Sequence, residues 1–219
     1  YKSGEKMYFQ YGDKEIEYLR SKDKKLAEVI DKVGHIDRTV DTDLFSSVVH
    51  HIIGQQISTK AQQTIWLRMN EKYGHVTPEV IDSADAAELQ SLGMTFRKAE
   101  YIKDFSHKVV SGEFSLDAVW HKSDEEAVEA LSSLKGVGVW TAEMILLFCM
   151  QRSDILSFGD LAIQRGMRMV YHHRKIDKKL FEKYRRRLSP YGSTASLYFW
   201  AVSGGAVEEM KDYAPKNKR

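Results

Sequence analysis

A chain of 219 residues, 42% hydrophobic and 29% charged, is long enough to bury a core as one domain or as two small lobes. Its single cysteine, Cys149, excludes a disulfide framework and a four-cysteine iron–sulfur cluster. No apolar run reaches membrane-spanning length, and a net charge of +2 says nothing by itself about a partner.

Taken in order, Tyr1 to Gln10 lacks a signal-peptide pattern, which fits an intracellular protein; a start at Tyr1 leaves open what precedes it. Asp13 to Val33 reads as one or two helices, with Leu26, Val29, Ile30 and Val33 at helical spacing and Gly34 as a stop. Residues 35–42 read as a linker. Asp43 opens a strongly apolar helix that Gly54-Gln55-Gln56 breaks. Ser58 caps the next helix, to about Tyr73, and Thr77-Pro78 is an N-cap with proline at the first helical position. Short helices are expected at 78–82, 84–91, 96–110 and 116–120, two of them ended by Gly93 and Gly112. Further helices are expected at 161–172, 178–188 and 194–204. Tyr8 to Tyr11 is the only strand candidate, so the fold class is all-α.

The most informative stretch runs from Ser123 to Asp160. Ser123-Asp124-Glu125-Glu126 has capping-box spacing and opens a helix with Ala127, Val128 and Leu131 on its apolar face. Gly136 and Gly138 bracket a tight turn. A second helix starts near Val139, apolar almost all round and so expected to be central and buried. Backbone amides at such a turn form a ready phosphate site at a helix N-terminus, although Gly-x-Gly alone reads equally as an ordinary turn. Asp160, after Phe158-Gly159, stands where it can cap the helix beginning at Leu161, and a helix N-terminus favours an ionised carboxylate.

The longer string Leu134-Lys135-Gly136-Val137-Gly138-Val139-Trp140-Thr141-Ala142, with Asp160 22 residues after Gly138, is more specific. It resembles the helix-hairpin-helix (HhH-GPD) DNA glycosylase superfamily from about Asp43 to Trp200, and most closely the alkylpurine, or 3-methyladenine DNA glycosylase II, branch. The resemblance implies a two-lobed helical fold with an active-site cleft between the lobes. One lobe would hold residues 43–150, with the hairpin at about 124–150; the other would hold 1–42 and 151–219.

It also implies roles. A duplex base must leave the stack before it can be excised, so an anchor, a plug, a pocket and a group at the sugar are needed. Lys135, Gly136, Val137, Gly138 and Thr141 would contact DNA at the hairpin. The carbonyls of Ser132, Leu134 and Val137 would hold a monovalent cation, Na+ or K+, when DNA is bound; no other cofactor is required. Gln56 would plug the emptied stack, with Gln55 towards the base, although two glutamines between helices also read as a polar turn. Trp140, Trp200 and Met144 would wall the base pocket, although tryptophans are usually core. An alkylated purine carries positive charge, and an indole face attracts cations by about 0.5–2 kcal/mol. Asp160 would be the catalytic carboxylate, offsetting oxocarbenium charge on the sugar.

Relatives that also cut the strand carry a nucleophilic lysine where this chain has Trp140, so the resemblance implies base release without strand cleavage. The expected partner is double-stranded DNA with damaged bases, acted on by a monomer with no membrane contact, in a bacterial nucleoid or a nucleus. Two other readings stay open: a glycosylase for deaminated or mismatched bases, and a non-enzymatic DNA-binding hairpin module.

Three features lie outside the motif. Ten lysines and arginines between Arg165 and Arg187, against Asp177 and Glu182, read either as a polyanion footprint or as a solvated helix face. His50-His51 and His172-His173 lack metal-ligand spacing, since adjacent residues on a helix point apart. Cys149 reads as a small core residue.

Overall fold

The structure, a computed structural model, describes residues 6–215; the first five residues of the N-terminal stretch lie outside the described range. In chain order its helices are α1 (Asp13–Lys22), α2 (Lys24–Val33), α3 (Leu44–Gly54), α4 (Thr59–Tyr73), α5 (Pro78–Ser83), α6 (Ala86–Ser91), α7 (Phe96–Val110), α8 (Leu116–Trp120), α9 (Asp124–Ser132), α10 (Val139–Phe148), α11 (Leu161–Tyr171), α12 (Lys178–Leu188) and α13 (Gly192–Ser203). The fold is all-α. Among the described residues the strand candidate at Tyr8 amounts to a single antiparallel bridge with Thr39. The described residues divide into two compact units, one within 41–150 and the other made of the stretches before 41 and after 150.

In the 41–150 unit, α3 begins at Asp43, whose carboxylate accepts from the Ser46 amide at 2.7 Å. Phe45, Val48, Val49, Ile52 and Ile53 are all buried, which is why this helix is apolar nearly all round. Helix α10 packs against α3 and α9, with Ala142, Ile145, Leu146 and Leu147 fully buried. It is central only from its third residue on. Val139 and Trp140, in its first turn, are 57% and 46% exposed, because the helix starts at the surface. Cys149 is buried there, its thiol pushed up to about 12 by burial, as suits an inert core residue.

In the other unit, α11 and α13 form the main packed pair. A Cβ on Gly166 would lie 2.2 Å from the Phe199 carbonyl oxygen, so the two backbones meet at a contact only glycine permits. Asp23 separates α1 from α2. It is 3% exposed, caps α2 through the Leu26 amide at 3.0 Å, and accepts from the Tyr171 hydroxyl at 2.9 Å and the Arg187 guanidinium at 3.0 Å. A buried carboxylate paired in this way is costly to disturb from either side. Helix α13 starts two residues earlier than its apolar pattern indicates, at Gly192, whose amide donates to Asp154 Oδ1 at 3.0 Å.

Candidate active site and hairpin

Asp160 stands at the N-cap of α11, 6% exposed, with extended backbone. One carboxylate oxygen, Oδ1, accepts from the Ile163 amide at 2.9 Å and from the Trp200 indole N–H at 3.1 Å. The first donor is the helix terminus, whose partial positive charge meets the carboxylate. The second fixes the carboxylate plane from a helix that starts more than thirty residues later in the chain. The loop before it is closed by Gln164 Nε2 donating to the Phe158 carbonyl at 2.6 Å, and the Phe158 ring packs edge-on against Phe181 at 5.2 Å. Leu161, the next residue, is 79% exposed, an apolar side chain presented to solvent beside the acid. Its hydrophobicity sits off the helix's buried face, the one signal in the sequence that could have singled it out. Trp200 is half-buried against its unit's core.

The hairpin is α9, a turn and α10. Ser123 and Glu126 form the reciprocal capping box that starts α9. Leu134 and Val137 pin the turn by burying their side chains, and the Val137 amide donates to the Leu134 carbonyl at 3.1 Å. The two glycines differ in kind. Gly136 has φ +81°, and a Cβ there would lie 2.3 Å from the Tyr101 ring. Gly138 has an ordinary φ of −89°, is exposed, and a Cβ there would meet nothing within 4 Å. The fold needs the first glycine and leaves open space at the second, next to the amides that begin the ten-residue α10. Lys135 ion-pairs with Asp104 at 2.7 Å. Thr141 and Met144 are buried, 6% and 4% exposed.

The turn after α3 holds Gln55 and Gln56. Gln56 adopts φ +57°, uncommon for a side chain with a Cβ, and is exposed. The Gln55 side-chain amide donates to the Gly136 carbonyl at 2.5 Å, tying this turn to the hairpin. Lys98, from α7, donates to the Ile53 carbonyl at 2.7 Å and the Gln55 carbonyl at 2.6 Å, neutralising the C-terminal end of α3. Partial burial pulls the Lys98 ammonium below the usual lysine range. Gln55, Gln56, Arg97, Lys98, Tyr101 and Gly136 all border one surface concavity of about 620 Å³. Sequence reasoning missed Arg97, Lys98 and Tyr101, because α7 reads as an ordinary amphipathic helix and no local spacing ties it to the turn.

The basic run divides. Arg168 makes a bidentate pair with Asp212 at 2.7 Å, joined by Arg165, while Arg187 serves Asp23 and Arg185 pairs with Glu182. Arg174, Lys175, Lys178, Lys179, Lys183 and Arg186 are exposed. Among the described residues no group of three or more His, Cys, Asp or Glu could hold a metal. His51 pairs through Nδ1 with the Ser47 carbonyl at 2.8 Å, and His173 with the Tyr184 hydroxyl at 2.7 Å.

The profile of the HhH-GPD superfamily of base excision DNA repair proteins matches residues 49–190. DNA-3-methyladenine glycosylase 1 of Schizosaccharomyces pombe is 29% identical over 164 residues, 73% of this chain and 72% of that protein. The crystal structure of a DNA-3-methyladenine glycosidase from Bacillus halodurans superposes with a TM-score of 0.80 at 31% identity, covering 93% of this chain and 95% of that one. The Schizosaccharomyces pombe 3-methyladenine DNA glycosylase in complex with abasic DNA superposes with a TM-score of 0.75 at 26% identity, covering 88% and 97%.

Proposed function

Since the chain belongs to the HhH-GPD superfamily of base excision DNA repair proteins, we propose that it is a monofunctional DNA glycosylase. It flips alkylated purines such as 3-methyladenine out of duplex DNA and hydrolyses their N-glycosidic bond. The observation that carries this is the Asp160 carboxylate, oriented by two donors at a helix N-terminus.

Breaking the bond between the base and C1′ leaves positive charge on the sugar, while the bonding electrons depart with the base. An alkylated purine is already cationic, so it leaves as a neutral base and needs little acid assistance. Asp160 offsets the sugar's charge, and water adds its oxygen to C1′ and loses a proton. The indole faces of Trp140 and of Trp200 each favour a cationic base by electrostatics rather than by a hydrogen-bond code, and Met144 is buried one turn beyond Trp140. Gln56 fills the gap in the stack, and Gln55 holds the plug to the anchor.

The hairpin amides of Gly136 and Gly138 take a phosphate, helped by Lys135 and Thr141, while the Val137 amide closes the turn on the Leu134 carbonyl. The carbonyls of Ser132, Leu134 and Val137 suit a monovalent cation: they are hard oxygen donors at and just beyond the C-terminal end of α9, where a helix gathers negative charge. That cation would screen the bound phosphate. Helix α10, Val139–Phe148, contains no lysine to attack the sugar, which supports base release without strand cleavage.

Base release from duplexes carrying 3-methyladenine, 7-methylguanine, hypoxanthine or uracil tests this reading. Release of the methylated purines is expected, with no borohydride-trapped protein–DNA adduct. Release of only hypoxanthine or uracil would move the enzyme to the deaminated-base branch. Binding with no release of any base would leave a non-enzymatic hairpin module.

A further inference from the structure

From the face of α12 opposite Phe181 we infer a further DNA-contacting surface, turned away from the Asp160 loop, that takes a second segment of duplex and lets the protein pass between segments. The inference rests on the glycosylase function proposed for the chain. Phe181, Tyr184 and Leu188 bury one face of α12, and Phe181 meets Phe158 of the Asp160 loop. At 3.6 residues per turn, Lys179, Lys183 and Arg186 lie about 140–200° round the helix from Phe181. They therefore lie on the side of α12 opposite its contact with Phe158 of the Asp160 loop. All three are exposed and border one shallow concavity of about 440 Å³ with Asp177 and Leu180.

Counter-charge is scarce there. Asp177 is engaged as the N-cap of α12, accepting from the Leu180 amide at 2.8 Å, and Glu182 is drawn to Arg185 at 2.9 Å. The exposed Arg174, Lys175 and Lys178 lie at the same end of the helix and extend the charge. Lys179 to Arg186 spans about 10 Å of helix rise. One strand of duplex presents a phosphate about every 3.4 Å of axis, so three cations face about three phosphates. A ridge without a deep pocket suits a backbone read by charge alone rather than a base or a small ligand.

The test follows release of the full chain from a short fluorescent undamaged duplex as unlabelled duplex is added. Wild type should dissociate faster as competitor rises, since a second segment binds before the first leaves. The triple variant Lys179→Glu, Lys183→Glu, Arg186→Glu should dissociate at a rate indifferent to competitor. Its single-turnover base release from a short lesion duplex should match wild type. The neutral variant with glutamine at the three positions should be intermediate. The log–log salt slope of its binding to long duplex should fall by about 0.9 for each phosphate it no longer neutralises. A wild-type rate indifferent to competitor would overturn the inference, as would a triple variant that still responds to it. Loss of base release in the triple variant would do the same, by placing the ridge on the substrate duplex. A wild type that releases no base from any lesion duplex would instead refute the glycosylase reading.

Discussion

The Trp200 indole N–H donates to Asp160 Oδ1 at 3.1 Å, the same oxygen that accepts the Ile163 amide at 2.9 Å. A side chain that reads as either core or pocket wall is thus also a clamp on the carboxylate. The two donors hold the acid's plane before any substrate arrives, which is the condition for electrostatic stabilisation without reorganisation.

Asp160→Asn keeps an oxygen for both donors and can still cap α11, so fold and DNA binding should survive. The amide has no charge to set against the sugar. Base release should fall by roughly 10²–10³, about 3–4 kcal/mol. Trp200→Phe keeps a ring but removes the N–H. Single-turnover base release should fall by about ten- to a hundredfold, in line with about 1.5–3 kcal/mol for a hydrogen bond to a charged group. In the Asp160→Asn background the same change should cost much less, because the two residues act through one contact. Equal losses in both backgrounds would separate Trp200 from the carboxylate.

The hairpin glycines should split under alanine. Gly138→Ala has room and an allowed φ, so thermal stability should hold while DNA affinity drops at least tenfold. Gly136→Ala forces a left-handed conformation on a residue with a Cβ, at about 1–2 kcal/mol, and drives that atom into Tyr101. Stability should fall first there. An affinity unchanged by Gly138→Ala would remove the turn from the phosphate contact.

Gln56→Ala should impair excision from duplex far more than from single strands, since only a duplex leaves a gap to fill. Gln55→Ala should add a loss of DNA affinity, because its amide ties the plug turn to the Gly136 carbonyl. Side-by-side measurements on duplex and single-stranded substrates check both. Equal losses for Gln56→Ala on the two substrates would rule out plugging.

The helices were legible because their signals are local. The Ser123–Glu126 box, Thr77-Pro78 and the Gly34 stop all act within one turn of chain. The hairpin string was legible because Leu134, Gly136 and Val137 are each fixed by turn geometry. The contacts that arm the site are long-range. Trp200 reaches Asp160 across 40 residues and Gln55 reaches Gly136 across 81, and no periodicity encodes either. Charge counting also cannot divide the basic run. Arg168 and Arg187 sit in it like their neighbours, yet both are spent on Asp212 and Asp23 inside the unit.

Stability should decline in mild acid through His50. The ring sits edge-on to Trp66 at 5.1 Å, and burial, with His51 beside it, lowers its pKa from 6.5 to about 4. The folded protein therefore holds this imidazole neutral, while the unfolded chain takes up a proton below about pH 6.5. The stabilisation is full above that value. It is lost progressively as pH falls towards 4, and the full shift amounts to on the order of 3 kcal/mol. His51, lowered likewise by desolvation, adds in the same direction. Chemical denaturation at stepped pH should show wild type losing stability over this window. His50→Gln does not titrate, so it should lose markedly less over the same range, whatever its stability at neutral pH. Parallel pH profiles for the two proteins would show that the acid sensitivity comes from other groups.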